Sequence, residues 1–191
     1  MERHRLLQLF YRNETNLYRD RLRVLHLAPE SCFQKQFEQQ GNLDYVSADL
    51  RSPRVTVKTD ITDMVFEDKS FDVVLCSHVL EHIPDDRKAM AELFRVLKPE
   101  GWAVLQVPID TGRAVTYEDE SITSPEERQR AFGLFDHVRV YGRDYKDRLE
   151  AAGFVVRVIP YAEHLSEEDV RRNCIVRGDD VYLCTRPGSV Q

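Results

Sequence analysis

The sequence has 191 residues, 42% of them apolar, and a formal net charge of −6. This is enough chain for one domain with its own core, and an acidic balance without a basic block argues against a nucleic-acid backbone as partner. No apolar run is long enough to cross a bilayer, residues 1–16 lack the apolar core and cleavage site of a secretory signal, and the four cysteines (Cys32, Cys76, Cys174, Cys184) show no CxxC pair, which points to reduced thiols in a cytoplasmic protein with no metal site.

Residues 1–20 read as an N-terminal helical extension. "RLRVLHLA" (21–28) reads as a first strand. Ser31 is then a candidate helix N-cap, with "SCFQ" matching a capping box through Gln34, and Phe33 and Phe37 share one face of the helix. "LDYVSADL" (43–50) and "RVTVKTD" (54–60) read as the second and third strands. "SFDVVLCSH" (70–78) is apolar enough to be buried on both faces, as central parallel strands are. Asp85 or Asp86 caps the next helix, whose Met90, Leu93, Phe94 and Leu97 recur at helical spacing. "KPEG" ends it, with Gly101 expected in a left-handed turn, and "WAVLQVP" (102–108) is a fifth strand. Beyond it, "SPEERQRAF" places Pro125 at a first helical position, "GRDYKDRLEAAG" is a helix, and "FVVRVIP" and "DVYLCTR" are late strands that pair antiparallel. "SEEDVRRNCIV" fits a helix or a loop. Alternating strands and helices imply an α/β sandwich around a mostly parallel sheet, with ligands outside the carboxyl ends of the strands.

Several residues at those ends can carry chemistry. Asp49 stands where an acid can accept both hydroxyls of a ribose, or is a surface turn aspartate. Asp60 with Ile61 suits an exocyclic amine and a purine face, or simply caps a turn. "HVLEH" (78–82) matches H-x-x-E-H, but that pattern needs two histidines one turn apart on a stable helix plus a third ligand. Here Ile83-Pro84 leaves room for about one turn, so Ser77 and His78 are expected at the ligand cavity and Val79 and Leu80 in packing. In "FDHVRVYG" (135–142), alternation puts His137, Arg139 and Tyr141 on one side, beside Asp136. These converge on an acceptor site with His137 as proton acceptor, or form a solvated loop.

The segment from Asp60 to Pro108, with "SFDVVLCSHVLEHIPD" followed by "ELFRVLKPEG", resembles class I S-adenosylmethionine-dependent methyltransferases. The resemblance covers residues 22–108 and reaches 133–160 through "DYKDRLEAAGF". It implies a Rossmann-like three-layer sandwich on a seven-stranded, mostly parallel sheet whose last strand is antiparallel. It implies one methyltransferase domain over 1–191, with 109–132 as an acceptor-side insertion. S-adenosylmethionine would lie along His26, Ala28, Pro29 and Glu30. Its ribose would meet Asp49 beside Leu50, its adenine Asp60 and Ile61, and its methionine part Ser77 and His78. Asp136 and His137 would serve the acceptor, expected to be a small molecule.

The first turn departs from the family, which usually has an acid at His26 and glycines at Ala28, Glu30 and Cys32. Glycines there let backbone approach a diphosphate. Glu30 stands nearly where those phosphates go, and two negative groups ~4 Å apart repel by about 4 kcal/mol at an effective dielectric near 20. This disfavours a nicotinamide cofactor and tolerates a sulfonium with an ammonium group. The same departure motivates a rival expectation, a methyltransferase-like binding protein without turnover. Glu30 itself is either an exposed first-turn acid or a ligand contact.

Overall fold

The computed structural model describes residues 2–188; residue 1 and residues 189–191, at the ends of the expected domain, lie outside the described residues. Helix α1 (Glu2–Glu14) leads into β1 (Leu22–Leu27), α2 (Ser31–Phe37), β2 (Leu43–Asp49), the short β3 (Val57–Lys58) and β4 (Phe71–Ser77). A 3-10 turn at Leu80–His82, α3 (Asp86–Val96) and β5 (Leu97–Gln106) follow. Next come β6 (Tyr117–Glu118), α4 (Pro125–Phe132), β7 (Arg139–Val140), α5 (Tyr145–Ala151) and β8 (Val155–Ile159). The chain closes with α6 (Tyr161–His164), α7 (Glu167–Asn173) and β9 (Val181–Thr185).

Seven strands make one sheet in the order β3-β2-β1-β4-β5-β9-β8. The first five pair in parallel, and β9 runs antiparallel to both β5 and β8, as the sequence predicts. Strand β4 is central, and its Phe71, Val73, Val74, Leu75 and Cys76 are buried. Each buried aliphatic or aromatic side chain of this kind contributes about 1.5–3 kcal/mol. One face of the sheet is covered by α3 and α5 through Met90, Leu93, Tyr145 and Leu149. The other is covered by α1 and α2 through Leu6, Leu7, Phe10, Phe33 and Phe37. The N-terminal helix is therefore a full part of that layer, with Phe10 edge-on to Tyr161 at 5.3 Å. The short ribbon of β6 and β7 stands apart from the main sheet. Among the described residues no helix is long and apolar enough to cross a membrane.

Local expectations fare unevenly. Asp85 caps α3 by accepting from the Lys88 amide at 2.9 Å, and Ser124 with Glu127 forms a capping box before Pro125. The capping box expected at Ser31 does not form. Glu30 is the N-cap residue of α2, and the Gln34 amide donates instead to the Arg54 carbonyl at 2.7 Å, a tertiary partner that outcompetes the local one. The third strand shrinks from 54–60 to two residues.

At "KPEG" the left-handed residue is Glu100 (φ +64), not Gly101. The glycine is needed for space, because a Cβ on Gly101 would lie 2.9 Å from the carbonyl oxygens of Asp72 and Lys98. Backbone at that distance has to shift. Gly101→Ala is expected to cost about 1–3 kcal/mol of stability, read as a lower urea midpoint; an unchanged midpoint would show that this crossing relaxes freely.

Candidate active site

The strand order reverses between β1 and β4, and ligands in such sheets bind outside the carboxyl ends of the strands at that point. The residue just past each of these two strands takes a left-handed backbone: Ala28 at φ +44 and His78 at φ +55. Each costs about 1–3 kcal/mol of local strain, the kind that structures retain at ligand sites. Ala28 thus does what a glycine does at this place, with a methyl group attached.

Two cavities open there. The larger, 880 Å³, is lined by Ala28, Asp49, Leu50, Asp60, Ile61, Val79, His82 and Pro84, with Arg51, Arg128 and Asp136 also on its wall. The smaller, 520 Å³, is lined by Ser77, His78, Pro108, Ile109, Arg143 and Lys146, with Leu6 of α1 and Asp180 and Tyr182 by β9. Of the expected cofactor residues, Ala28, Asp49, Leu50, Asp60 and Ile61 meet in the first, and Ser77 and His78 in the second. His26, Pro29 and Glu30 line neither.

The two aspartates share one design. Asp49 Oδ1 accepts from the amides of Arg51 at 2.7 Å and Ser52 at 2.6 Å. Asp60 Oδ1 accepts from the amide and the hydroxyl of Thr62, both at 2.8 Å. Those bonds hold the Asp60 carboxyl below its usual range. In both residues Oδ2 has no partner among the described residues, so each carboxylate is fixed by its own turn and offers one oxygen to the cavity. Leu50, 56% exposed, and the buried Ile61 are apolar residues on the wall of the same cavity.

Beneath the first turn lies a buried polar chain. His26 shares a hydrogen bond with the Tyr45 hydroxyl at 2.9 Å and another with Glu30 at 3.1 Å. His4, brought in by α1, stands 3.6 Å from the other Glu30 oxygen. Burial opposes the Glu30 charge, but the His26 hydrogen bond and the two nearby rings outweigh it, and the carboxyl titrates below its usual range. Burial lowers the His4 pKa, against the opposing effect of Glu30. Glu30 is therefore neither the exposed acid nor a direct wall of the cavity; it stiffens the turn. No local spacing announces His4 as a partner, although Leu6, Leu7 and Phe10 mark α1 as an amphipathic helix that must dock.

The segment around 135–142 is built differently from the expected acceptor cluster. Arg139 is 3% exposed. Its guanidinium donates to the carbonyls of Leu80 at 2.9 Å, Ile83, and Pro84 at 2.7 Å, and to Glu118 at 2.9 Å. Tyr141 donates to Asp86 at 2.7 Å. Both residues hold the turn after β4 in place and do not face an acceptor. His137 is 8% exposed, lines neither cavity, and meets the His82 ring edge-on at 4.7 Å. Burial and the neighbouring His82 push its pKa down. Asp136 does border the larger cavity. In "HVLEH", His78 and His82 do not pair: His78 Nδ1 holds Glu81 at 3.2 Å, while His82 turns to Asp136.

Three buried atoms near the reversal lack a hydrogen-bond partner: Ser77 Oγ, Glu30 Oε1 and His4 Nε2. Of these, Ser77 Oγ alone belongs to a residue that lines one of the two cavities; with the free oxygens of Asp49 and Asp60 and the apolar Leu50 and Ile61 it fits a nucleoside that carries a polar tail.

Comparison with known proteins agrees. The family described as "Methyltransferase domain" matches residues 21–105. Over 49 residues the chain is 47% identical to a demethylmenaquinone methyltransferase of Clavibacter sepedonicus, covering 26% of this chain and 20% of that protein. Over 120 residues it is 29% identical to a Mycolicibacterium smegmatis protein named "Probable S-adenosylmethionine-dependent methyltransferase", covering 60% and 42%. The matches thus span less than half the length of these curated relatives. Among solved structures, phosphoethanolamine N-methyltransferase 2 of Haemonchus contortus, in complex with S-adenosyl-L-methionine, superposes with a TM-score of 0.63 at 15% identity, over 96% of this chain and 52% of that one. Residues 21–105 thus match the methyltransferase domain family, and the chain as a whole shares the fold of a solved methyltransferase.

Proposed function

We propose that this chain transfers a methyl group from S-adenosylmethionine to a small acceptor held in the 520 Å³ cavity. The observation that carries the reading is the pair of pre-oriented carboxylates, Asp49 and Asp60, each with one free oxygen in the larger cavity. When bound, the cofactor supplies a methyl group already activated on a sulfonium. The chain's own task is to bind, align and exclude water. Alignment alone contributes about 7–11 kcal/mol in favourable cases.

In this reading the free Asp49 oxygen accepts the ribose hydroxyls, and the free Asp60 oxygen accepts the adenine amine. Leu50 and Ile61 enclose the ring. Ser77 Oγ supplies a partner for the polar end. The smaller cavity mixes Arg143 and Lys146 with Asp179 and Asp180 between walls of Leu6, Leu7 and Tyr182. Its size and mixed charge suit a polar metabolite better than a polymer.

The test is calorimetric titration of the whole chain. S-adenosylmethionine and S-adenosylhomocysteine should each bind with one-to-one stoichiometry, and NADH should release no heat. Absence of binding by both nucleosides would overturn the reading.

A further inference from the structure

We propose that Glu81, His82 and His137 form a site for a divalent transition-metal ion. One ligating atom from each lies within 4.8 Å of the other two, a spacing that small side-chain adjustments bring onto a single ion. Two imidazoles and one carboxylate suit zinc, cobalt or a similar ion. They do not suit magnesium or calcium, which take mainly oxygen ligands.

A second, independent observation points the same way. Glu81 is 2% exposed. Its Oε1 is engaged by His78, but its buried Oε2 has no hydrogen-bond partner. An unpaired carboxylate oxygen at such depth is costly unless a cation or donor meets it.

The surrounding structure is arranged to hold these three groups together. The Val138 amide donates to the Glu81 carbonyl at 2.9 Å, which ties the strand end carrying His137 to the turn carrying Glu81 and His82. Arg139 fixes the carbonyls on both sides of that turn. Asp136 holds one ring nitrogen of His82, at 3.4 Å, in the manner by which carboxylates orient metal-binding imidazoles. His78 does the corresponding work for Glu81.

Three protein ligands leave coordination positions open. Of the three ligands His82 borders the larger cavity, so an ion here stands at the edge of that space. Metal binding does not rest on the methyl-transfer reading.

The test uses the whole chain, stripped of metal with EDTA and titrated with Zn²⁺ against a chromophoric chelator, and with Co²⁺ followed by visible absorption. One equivalent of each should bind. Glu81→Gln, His82→Ala and His137→Ala should each weaken binding at least about 100-fold, while His164→Ala, at an exposed helix end, should bind as wild type. Far-ultraviolet circular dichroism confirms folding, and Glu81→Gln keeps the side-chain volume. Wild-type affinity no tighter than that of the three variants overturns the site. S-adenosylhomocysteine titrated into the same samples separates the two ideas: nucleoside binding without specific metal binding defeats only the metal site, and the reverse defeats only the methyltransferase reading.

Discussion

Asp49→Ala lowers the affinity for S-adenosylhomocysteine by about 10²–10³-fold. Hydrogen bonds to a charged group contribute about 1.5–3 kcal/mol each, and one free carboxylate oxygen can accept two hydroxyls. Partial exposure of the cavity mouth pulls the expected total down to about 3–4 kcal/mol, which is the fold-change given. Asp49→Asn is the informative companion. It keeps the oxygen that accepts from Arg51 and Ser52 and so preserves the turn, but it replaces the free oxygen with a neutral amide. A charge-assisted bond is roughly twice as strong as a neutral one, so this variant should lose about tenfold and retain its melting temperature. Calorimetry on both variants decides the matter: wild-type affinity in Asp49→Ala removes the ribose assignment, whatever else the cavity binds.

The residues that sequence alone locates and those it hides differ in what determines them. Asp49 and Asp60 stand at strand ends, and strand ends follow from the apolar pattern of "LDYVSADL" and "RVTVKTD" and from the rule that ligands sit beyond them. Ser77 is legible for the same reason. The first turn is legible only in what it lacks. Ala28 adopts the backbone of a glycine, which no propensity announces, and Glu30 finds partners on α1 and β1 that are distant or buried. A glycine after a helix suggests a left-handed cap, whereas at Gly101 packing against Asp72 demands the missing Cβ.

The stretch 135–142 is hidden for a related reason. Polar side chains at alternate positions look like a site when their burial is unknown. Arg139 and Tyr141 instead satisfy backbone and carboxylate groups across a long loop. The convergence of Glu81, His82 and His137 depends on that same long-range closure, so no local spacing reveals it.

Arg139→Met tests that closure and should destabilise the protein by about 3–5 kcal/mol, the range for removing one partner of a buried charged network. The carbonyls of Leu80, Ile83 and Pro84 each lose a donor, and Glu118 loses one of its two arginines. Arg139→Lys should rescue little, because a single ammonium cannot span carbonyls and carboxylate in a planar fork. The turn also carries His82, Ile83 and Pro84 on the cavity wall, so the variant should bind S-adenosylhomocysteine more weakly even under conditions where it is fully folded. The pH dependence has a definite sign. Hydrogen bonding from Arg148 and then Arg139 holds the Glu118 carboxyl below its ordinary value of 4.5, against the opposing effect of burial. A carboxyl depressed in the folded state contributes stability that is present above its unfolded pKa and lost as pH falls through the folded one. The stability gap between wild type and Arg139→Met should therefore narrow below pH 4.5. It should not close, because the Glu118 side chain is 39% exposed and its share is screened by solvent, whereas the carbonyl contacts do not titrate. Urea unfolding of both proteins at neutral pH and at mildly acidic pH measures the gap. A loss under about 1 kcal/mol at neutral pH would mean that β7 and the turn after β4 hold together without the guanidinium, and the proposed alignment of Glu81 with His137 would lose its support.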